Sequence, residues 1–364
     1  MKIGILTYHR AENYGALLQA YALKTYLQSL GLEVSFVDYW PSYHAHADYY
    51  SLFSWRQFVR KSFKGKAVML LYSVLWLLPK TVRKIRLRRF MHNSLGLQNK
   101  PLYTESTVKT EKYDVVVYGS DQIWRKQNLG GVSFDSWYFG SDNVVADKKI
   151  VYAGSMGEVK TDTEDDLFIK KMMSNFDAIS VREQDLHLYL DGLGVSSSVV
   201  IDPVFLLSSG QWRRLAVKPD KKGKYILFYN LINTGESVHF AEKLSSETNL
   251  PIVEINIKQS IRRLGKRYVS TASVPEFLGL IDGAEYVVSN SFHGVAFSII
   301  FEKRFFAVGM RNRANRVCSL LSLLGLESCY VNESSQDVAW HFENVKGKLN
   351  ESVLYSESFL KQSF

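Results

Sequence analysis

The sequence predicts an α/β protein of two doubly wound halves facing a cleft. Three observations carry that prediction. Short apolar β-like runs alternate with segments of helical spacing from residue 2 onward. The alternation restarts after the polar link Lys218-Pro219-Asp220-Lys221-Lys222-Gly223. A chain of 364 residues also exceeds what one hydrophobic core usually supports. The expected units are residues 1–218, with a basic helical insertion at about 41–100, then 219–333, and a C-terminal helix over 334–364 that packs back on the first unit.

Residues 2–7 read as the first strand. Tyr14 to Leu30 follows at helical spacing, with Gly31 as its stop, and 33–39 is the second strand. The turn at 8–14 leads to a single Gly15 and lacks G-x-G-x-x-G, so neither NAD nor FAD is predicted. Ligands in open α/β sheets bind at the C-terminal ends of strands, which puts His9, Asn13 and Gly15 at the edge of a site. Asn13 reads equally well as the cap of the first helix.

Residues 41–100 interrupt the pattern and hold twelve lysines and arginines against one acid, Asp48. The whole chain has a net charge of +9, so the remainder is close to neutral. Within this segment the twelve-residue apolar run Ala67–Leu78 is too short for the ~20 residues that span a bilayer. The basic run Lys80–Phe90 follows it. The pair suits a helix lying on an anionic membrane, but the slightly favoured reading is an insertion packed on its own protein with a solvated basic face. The cations alternate with aliphatic rather than stacking aromatic residues, so no nucleic-acid partner is expected.

Alternation resumes with the strand 113–118, which runs into Gly119-Ser120-Asp121, and with the strand 150–155. A helix at 164–175 leads to the strand 177–183, which delivers Arg182 at its C-terminal end. A guanidinium there matches a carboxylate or phosphate, or pairs with Glu183 or another neighbouring acid. Val199–Val204 closes the first half as a strand ended by Pro203. Strands at 225–230, 251–255, 284–288 and 304–308, with helices near 236–248 and 274–282, make the second half.

Ser289-Asn290-Ser291-Phe292-His293-Gly294 joins the strand at 284–288 to an apolar helix. A helix start offers unpaired N–H groups and a positive dipole end to an anion, and His293 adds a titratable group at the same point. Arg311, Arg313 and Arg316 follow the next strand and either face the same cleft or line a surface helix. Cys318 and Cys329 are too few for a disulfide framework and are expected to be reduced. The N-terminal apolar run is too short for a signal peptide, which points to a cytoplasmic protein, with the basic segment as a peripheral contact to the inner membrane face.

Five stretches occur in order: Asn13-Tyr14-Gly15-Ala16-Leu17-Leu18-Gln19-Ala20, Gly119-Ser120-Asp121-Gln122-Ile123-Trp124, Ser180-Val181-Arg182-Glu183, Asp202-Pro203, and Ser289 to Gly294. Together they resemble the polysaccharide pyruvyl transferase family over residues 2 to about 325. The resemblance implies two Rossmann-like domains arranged as in GT-B glycosyltransferases. It also implies transfer of a pyruvyl group from phosphoenolpyruvate to two hydroxyls of a sugar, or of a lipid-linked oligosaccharide, as a cyclic ketal.

On this expectation His293 is the acid or base, assisted by Asp121. Arg182 takes the donor carboxylate. Ser291, Gly294 and Val295 at the helix start, with Arg313 or Arg316, take its phosphate, and Asn13 and Gly15 border the pocket. No metal and no cofactor beyond the donor substrate is expected. The alternatives are a nucleotide-sugar glycosyltransferase of the same fold and a non-catalytic binder of membranes or polyanions.

Overall fold

A computed structural model describes residues 1–45, 58–127, 133–220, 223–231, 234–256, 267–309, 314–331, 338, 340 and 342–364. The first half contains β1 (Lys2–Leu6), α1 (Tyr14–Ser29), β2 (Glu33–Phe36), α2 (Ser42–Ala45), α3 (Phe63–Phe90), β3 (Tyr113–Tyr118) and β4 (Ala146–Gly154). It continues through α4 (Thr163–Met173), β5 (Ala178–Val181), α5 (Gln184–Gly192), β6 (Ser198–Val199) and α6 (Ser209–Leu215). The second half contains β7 (Ile226–Asn230), α7 (Gly235–Thr248), β8 (Ile252–Asn256), β9 (Tyr268–Val269), α8 (Val274–Asp282) and β10 (Tyr286–Ser289). It closes with α9 (Phe292–Ile300), β11 (Arg304–Val308), α10 (Ala314–Leu324), β12 (Tyr330–Val331) and α11 (Phe342–Ser363).

Each half is one six-stranded parallel sheet, ordered β2-β1-β3-β4-β5-β6 in the first and β12-β11-β10-β7-β8-β9 in the second. The fold is therefore α/β with two Rossmann-like, doubly wound domains. The order in which strands are added reverses between β1 and β3 in one sheet and between β7 and β10 in the other. Crevices at the C-terminal ends of strands open at such points. The loops at the two reversals are those carrying Asn13 and Asp121 in the first half, and Asn230 and Ser291 in the second.

Local chemistry explains the helix starts. Asp162 and Asp165 form a reciprocal capping box at α4, and Ser273 and Glu276 form another at α8, with Pro275 in the first turn. Two expectations change. The strand expected at 199–204 ends at Val199, because Asp202 accepts from the Val204 N–H at 3.1 Å and starts a short 3-10 turn at Pro203. The edge strands β9 and β12, two residues each, are too short to leave a periodic signal.

The halves share one apolar core. Tyr14 stacks on Phe277 at 4.5 Å between centroids and donates its hydroxyl to the Ala272 carbonyl at 2.7 Å. Trp212 meets Phe297 edge to face at 5.0 Å. Helix α11 returns to the first half, where Ser356 Oγ accepts from the Ile201 N–H at 3.0 Å and Lys148 donates to the Phe364 carbonyl at 3.1 Å.

Candidate active site

The site is built on the start of α9, a helix buried along its whole length. Ser291 is its N-cap, but the Ser291 hydroxyl makes no capping bond. The Ser291 N–H donates to Ser289 Oγ at 3.1 Å. Helix geometry then leaves the N–H groups of Phe292, His293 and Gly294 without intrahelical acceptors. Val295 does not belong with them, because its N–H donates to the Ser291 carbonyl at 3.1 Å, which corrects the expectation that it binds the donor. Behind the turn, Asn290 Nδ2 donates to Asn230 Oδ1 at 3.0 Å, and Asn290 Oδ1 accepts from the Leu231 N–H at 2.7 Å. Those bonds lock the loop from the side away from the cleft.

Opposite this helix end stands a buried ion cluster from the first half. Arg182 donates from Nε to Glu183 at 3.0 Å and from Nη1 to Asp202 at 2.5 Å. Ser155 holds the same Glu183 oxygen at 2.8 Å. The Arg182 guanidinium also lies 4.9 Å from the Phe292 ring centre. His293 Nε2 stands 3.9 Å from Asp202 Oδ2, across the boundary between the halves. Among the described residues, three buried polar atoms in this group have no hydrogen-bond partner: Arg182 Nη2, Glu183 Oε2 and His293 Nε2. Buried polar groups are rarely left so, and three together mark a place where a ligand would supply the missing bonds.

Burial pushes the His293 imidazole down to about 4, and Arg182 and Arg316 add to that, while Asp202 and Asp121 oppose it. His293 is therefore neutral at pH 7. Burial raises Glu183 above the usual carboxylate range even though Arg182 and Arg316 pull it down. Burial would lower Arg182, but Glu183, Asp202 and Asp121 together hold it above its ordinary value.

The depressed His293 value makes a stability prediction. Between pH 6.5 and about 4 the unfolded chain takes up a proton at His293 that the folded protein refuses, so this group costs stability as pH falls through that window. The full cost is roughly 3 kcal/mol. In His293→Gln the unfolding free energy, measured by denaturant titration, should fall less steeply over this range than in the wild type. Identical slopes would show that His293 is not buried and neutral.

The remaining expected site residues fall as follows. Asn13 caps α1, its Oδ1 accepting from the Gly15 N–H at 2.8 Å. Gly15 lies against His293, where an added Cβ would come within 2.6 Å of the ring carbon Cε1. Gly294 is packed so closely that a Cβ would sit 2.9 Å from the Tyr229 ring and from Ser289 Cβ. Asp121 follows β3 in a left-handed conformation, φ +71, and turns its Oδ1 to the Gln122 N–H at 2.8 Å. Arg316, on α10, stands 5.9 Å from the Phe292 ring centre, on the helix that borders the cluster. Arg313, like Arg311, lies outside the described residues. His9 is set back from the cluster, paired with Asp38 at 3.2 Å and wholly buried.

Sequence reasoning offers Glu183 or another neighbouring acid as the partner of Arg182, and Glu183 is one such partner; Asp202 is the part of the site to which it assigns no role. Both stand inside motifs that were singled out, but nothing in a linear sequence says that residue 202 pairs with residue 182. Gln19 is a second case: it donates to Thr7 Oγ1 at 3.0 Å and accepts from Ser120 Oγ at 3.1 Å, tying α1 to the Gly119–Asp121 turn.

Arg182, Asp202 and Arg316 also form the charged end of a cavity of about 760 Å³ between β6, α10 and α11. Its other walls are mostly apolar, with Val199, Leu320, Leu323 and Tyr355 among them.

In overall structure the chain is similar to the Escherichia coli heptosyltransferase WaaC with ADP-2-deoxy-2-fluoro heptose, at 12% identity and TM-score 0.37, over 84% of this chain and 88% of that one. It is similar to Methanocaldococcus jannaschii UDP-GlcNAc 2-epimerase in complex with UDP-GlcNAc and UDP, at 10% identity and TM-score 0.43, over 98% and 100%. The glycosyltransferase SnogD from Streptomyces nogalater matches at 13% identity and TM-score 0.40, over 100% and 99%. No curated protein matches the sequence. The family described as polysaccharide pyruvyl transferase matches residues 13–312, a span that opens at Asn13 and contains Asp121, Arg182, Asp202 and His293. With most of its length so matched, the chain belongs to the polysaccharide pyruvyl transferase family.

Proposed function

We propose that the protein transfers the pyruvyl group of phosphoenolpyruvate to two hydroxyls of a sugar, forming a cyclic ketal and releasing inorganic phosphate. The observation that carries this reading is the convergence of an unfilled helix N-terminus, a buried guanidinium with one nitrogen unpaired and a neutral imidazole. A small donor with a carboxylate at one end and a phosphate at the other meets those needs together. Arg182 Nη2 would hold the carboxylate, while the N–H groups of Phe292 to Gly294, with Arg316, would hold the phosphate.

His293 then takes the proton of the first attacking hydroxyl, as its neutral state requires. The protonated His293 would pass that proton to the methylene carbon, which becomes methyl, as the hydroxyl oxygen bonds to the adjacent carbon. The C–O bond to phosphate breaks, and the second hydroxyl adds at the same carbon, its proton leaving with the phosphate. Asp121, whose charge is felt at both His293 and Arg182, is placed to assist proton movement.

Thermal stabilisation by phosphoenolpyruvate and by UDP- and GDP-sugars tests the donor, and phosphate release on adding sugar acceptors tests the reaction. Phosphoenolpyruvate should stabilise the protein, and His293→Gln should abolish phosphate release. Stabilisation by nucleotide sugars alone would overturn the reading in favour of glycosyl transfer.

A further inference from the structure

Helix α3 places its apolar face on the wrong side for a soluble insertion. Of its 28 residues only Trp76, Leu87 and Phe90 are buried. At ~100° per residue, Leu71, Val74, Leu78 and Ile85 fall within about 40° of the direction opposite Trp76. All four are exposed, Val74 at 71% and Leu78 at 72%. An amphipathic helix ordinarily turns that stripe to its own core; this one turns it outward.

The charge on the same helix says what the stripe meets. Residues 58–100 contain no acid, and Lys61, Lys64 and Lys66 precede the apolar run while Lys80, Arg83, Lys84, Arg86, Arg88 and Arg89 follow it. Two copies of such a surface repel each other, whereas an anionic lipid surface attracts both ends and accepts the apolar middle. Residues Phe63–Leu95 are long and apolar enough, by length and composition, to cross a membrane. The uncharged run Ala67–Leu78, however, is only about 18 Å long, against a hydrocarbon thickness of about 30 Å.

The basic half is also held to the protein across the cleft. Arg83 donates to the Glu12 carbonyl at 3.1 Å, beside Asn13. Arg86 donates to Glu276 at 2.7 Å and to the Thr271 carbonyl at 3.0 Å in the second half. A helix tied down this way lies along the surface.

We infer that α3 seats the protein on an anionic lipid bilayer, its outward apolar stripe in the acyl boundary and the exposed flanking cations Lys61, Lys64 and Arg89 at the head groups, with the rim of the cleft alongside. This is independent of the donor chemistry. It is tested by co-sedimenting the full chain with vesicles of phosphatidylcholine alone and of phosphatidylcholine with phosphatidylglycerol, at low and high salt. The wild type should bind the anionic vesicles at least tenfold better than the neutral ones, and lose that advantage at high salt.

Val74→Asp/Leu78→Asp should lower anionic-vesicle binding at least tenfold without changing the denaturation midpoint, since both side chains point away from the fold. Equal binding by this variant and the wild type would overturn the inference. So would a wild-type dimer that the variant dissolves, with no vesicle binding by either, because a second copy would then cover the stripe. Resistance to alkaline carbonate extraction from membranes would overturn it in favour of a spanning helix.

Discussion

Gly15→Ala should cut turnover about a hundredfold and leave the protein folded, because the new Cβ would enter the space of the His293 imidazole. The ring has to move, since the glycine sits on a well-anchored helix start capped by Asn13 and packed through Tyr14 on Phe277. Displacement of the proposed general base, His293, by about 1 Å is enough for that loss. Gly15 is a positioning residue, and its effect is separable from a general defect. In the alanine variant the pH 4 to 6.5 stability slope should shift together with turnover, while the denaturation midpoint at pH 7.5 stays near that of the wild type. Wild-type turnover in Gly15→Ala would mean that His293 is not held against α1.

Arg182→Met should be the most destabilising single change in the site. It leaves Glu183 and Asp202 as buried carboxylates without the guanidinium bonded to both, at side-chain exposures of 2% and 0%, with the more distant pull of Arg316 on Glu183 remaining. Removing one partner of a buried ion pair costs about 3–5 kcal/mol. The sign with pH is specific. Burial already raises Glu183 and Arg182 pulls it down, so without the guanidinium Glu183 is raised further in the folded state relative to the unfolded chain, and its penalty is relieved as pH falls and fully felt above its folded value. Denaturant titration at pH 5 and pH 8 should therefore show a larger deficit at pH 8.

Adding Glu183→Gln and Asp202→Asn to the methionine variant should recover part of the loss, because the two amides need no counter-ion. A single variant within about 0.5 kcal/mol of the wild type would show that the cluster is solvated and not the buried assembly described above. Phosphoenolpyruvate stabilisation should disappear in every variant lacking the guanidinium, including the stability-recovered one. That separates its role in the donor site from its role in the fold.

Sequence alone determined a good deal about this protein. Two rounds of strand–helix alternation were legible because buried parallel strands are short continuous apolar runs and their crossover helices carry a 3.6-residue period. The motif at Ser289 to Gly294 was legible as a helix start next to a histidine, and the five ordered motifs carried the family. What a linear pattern cannot encode is which residues meet across long sequence distances. Asp202 closing on Arg182 depends on the β5–β6 pairing, and Gly15 against His293 on the docking of α1 over α9. The protonation state of His293 follows from how completely the two halves enclose it. The direction in which the stripe on α3 faces is set by Trp76, Leu87 and Phe90 packing on the protein. Residue type fixed the available chemistry, and tertiary packing decided which groups lost water, and hence which of them are left seeking a ligand.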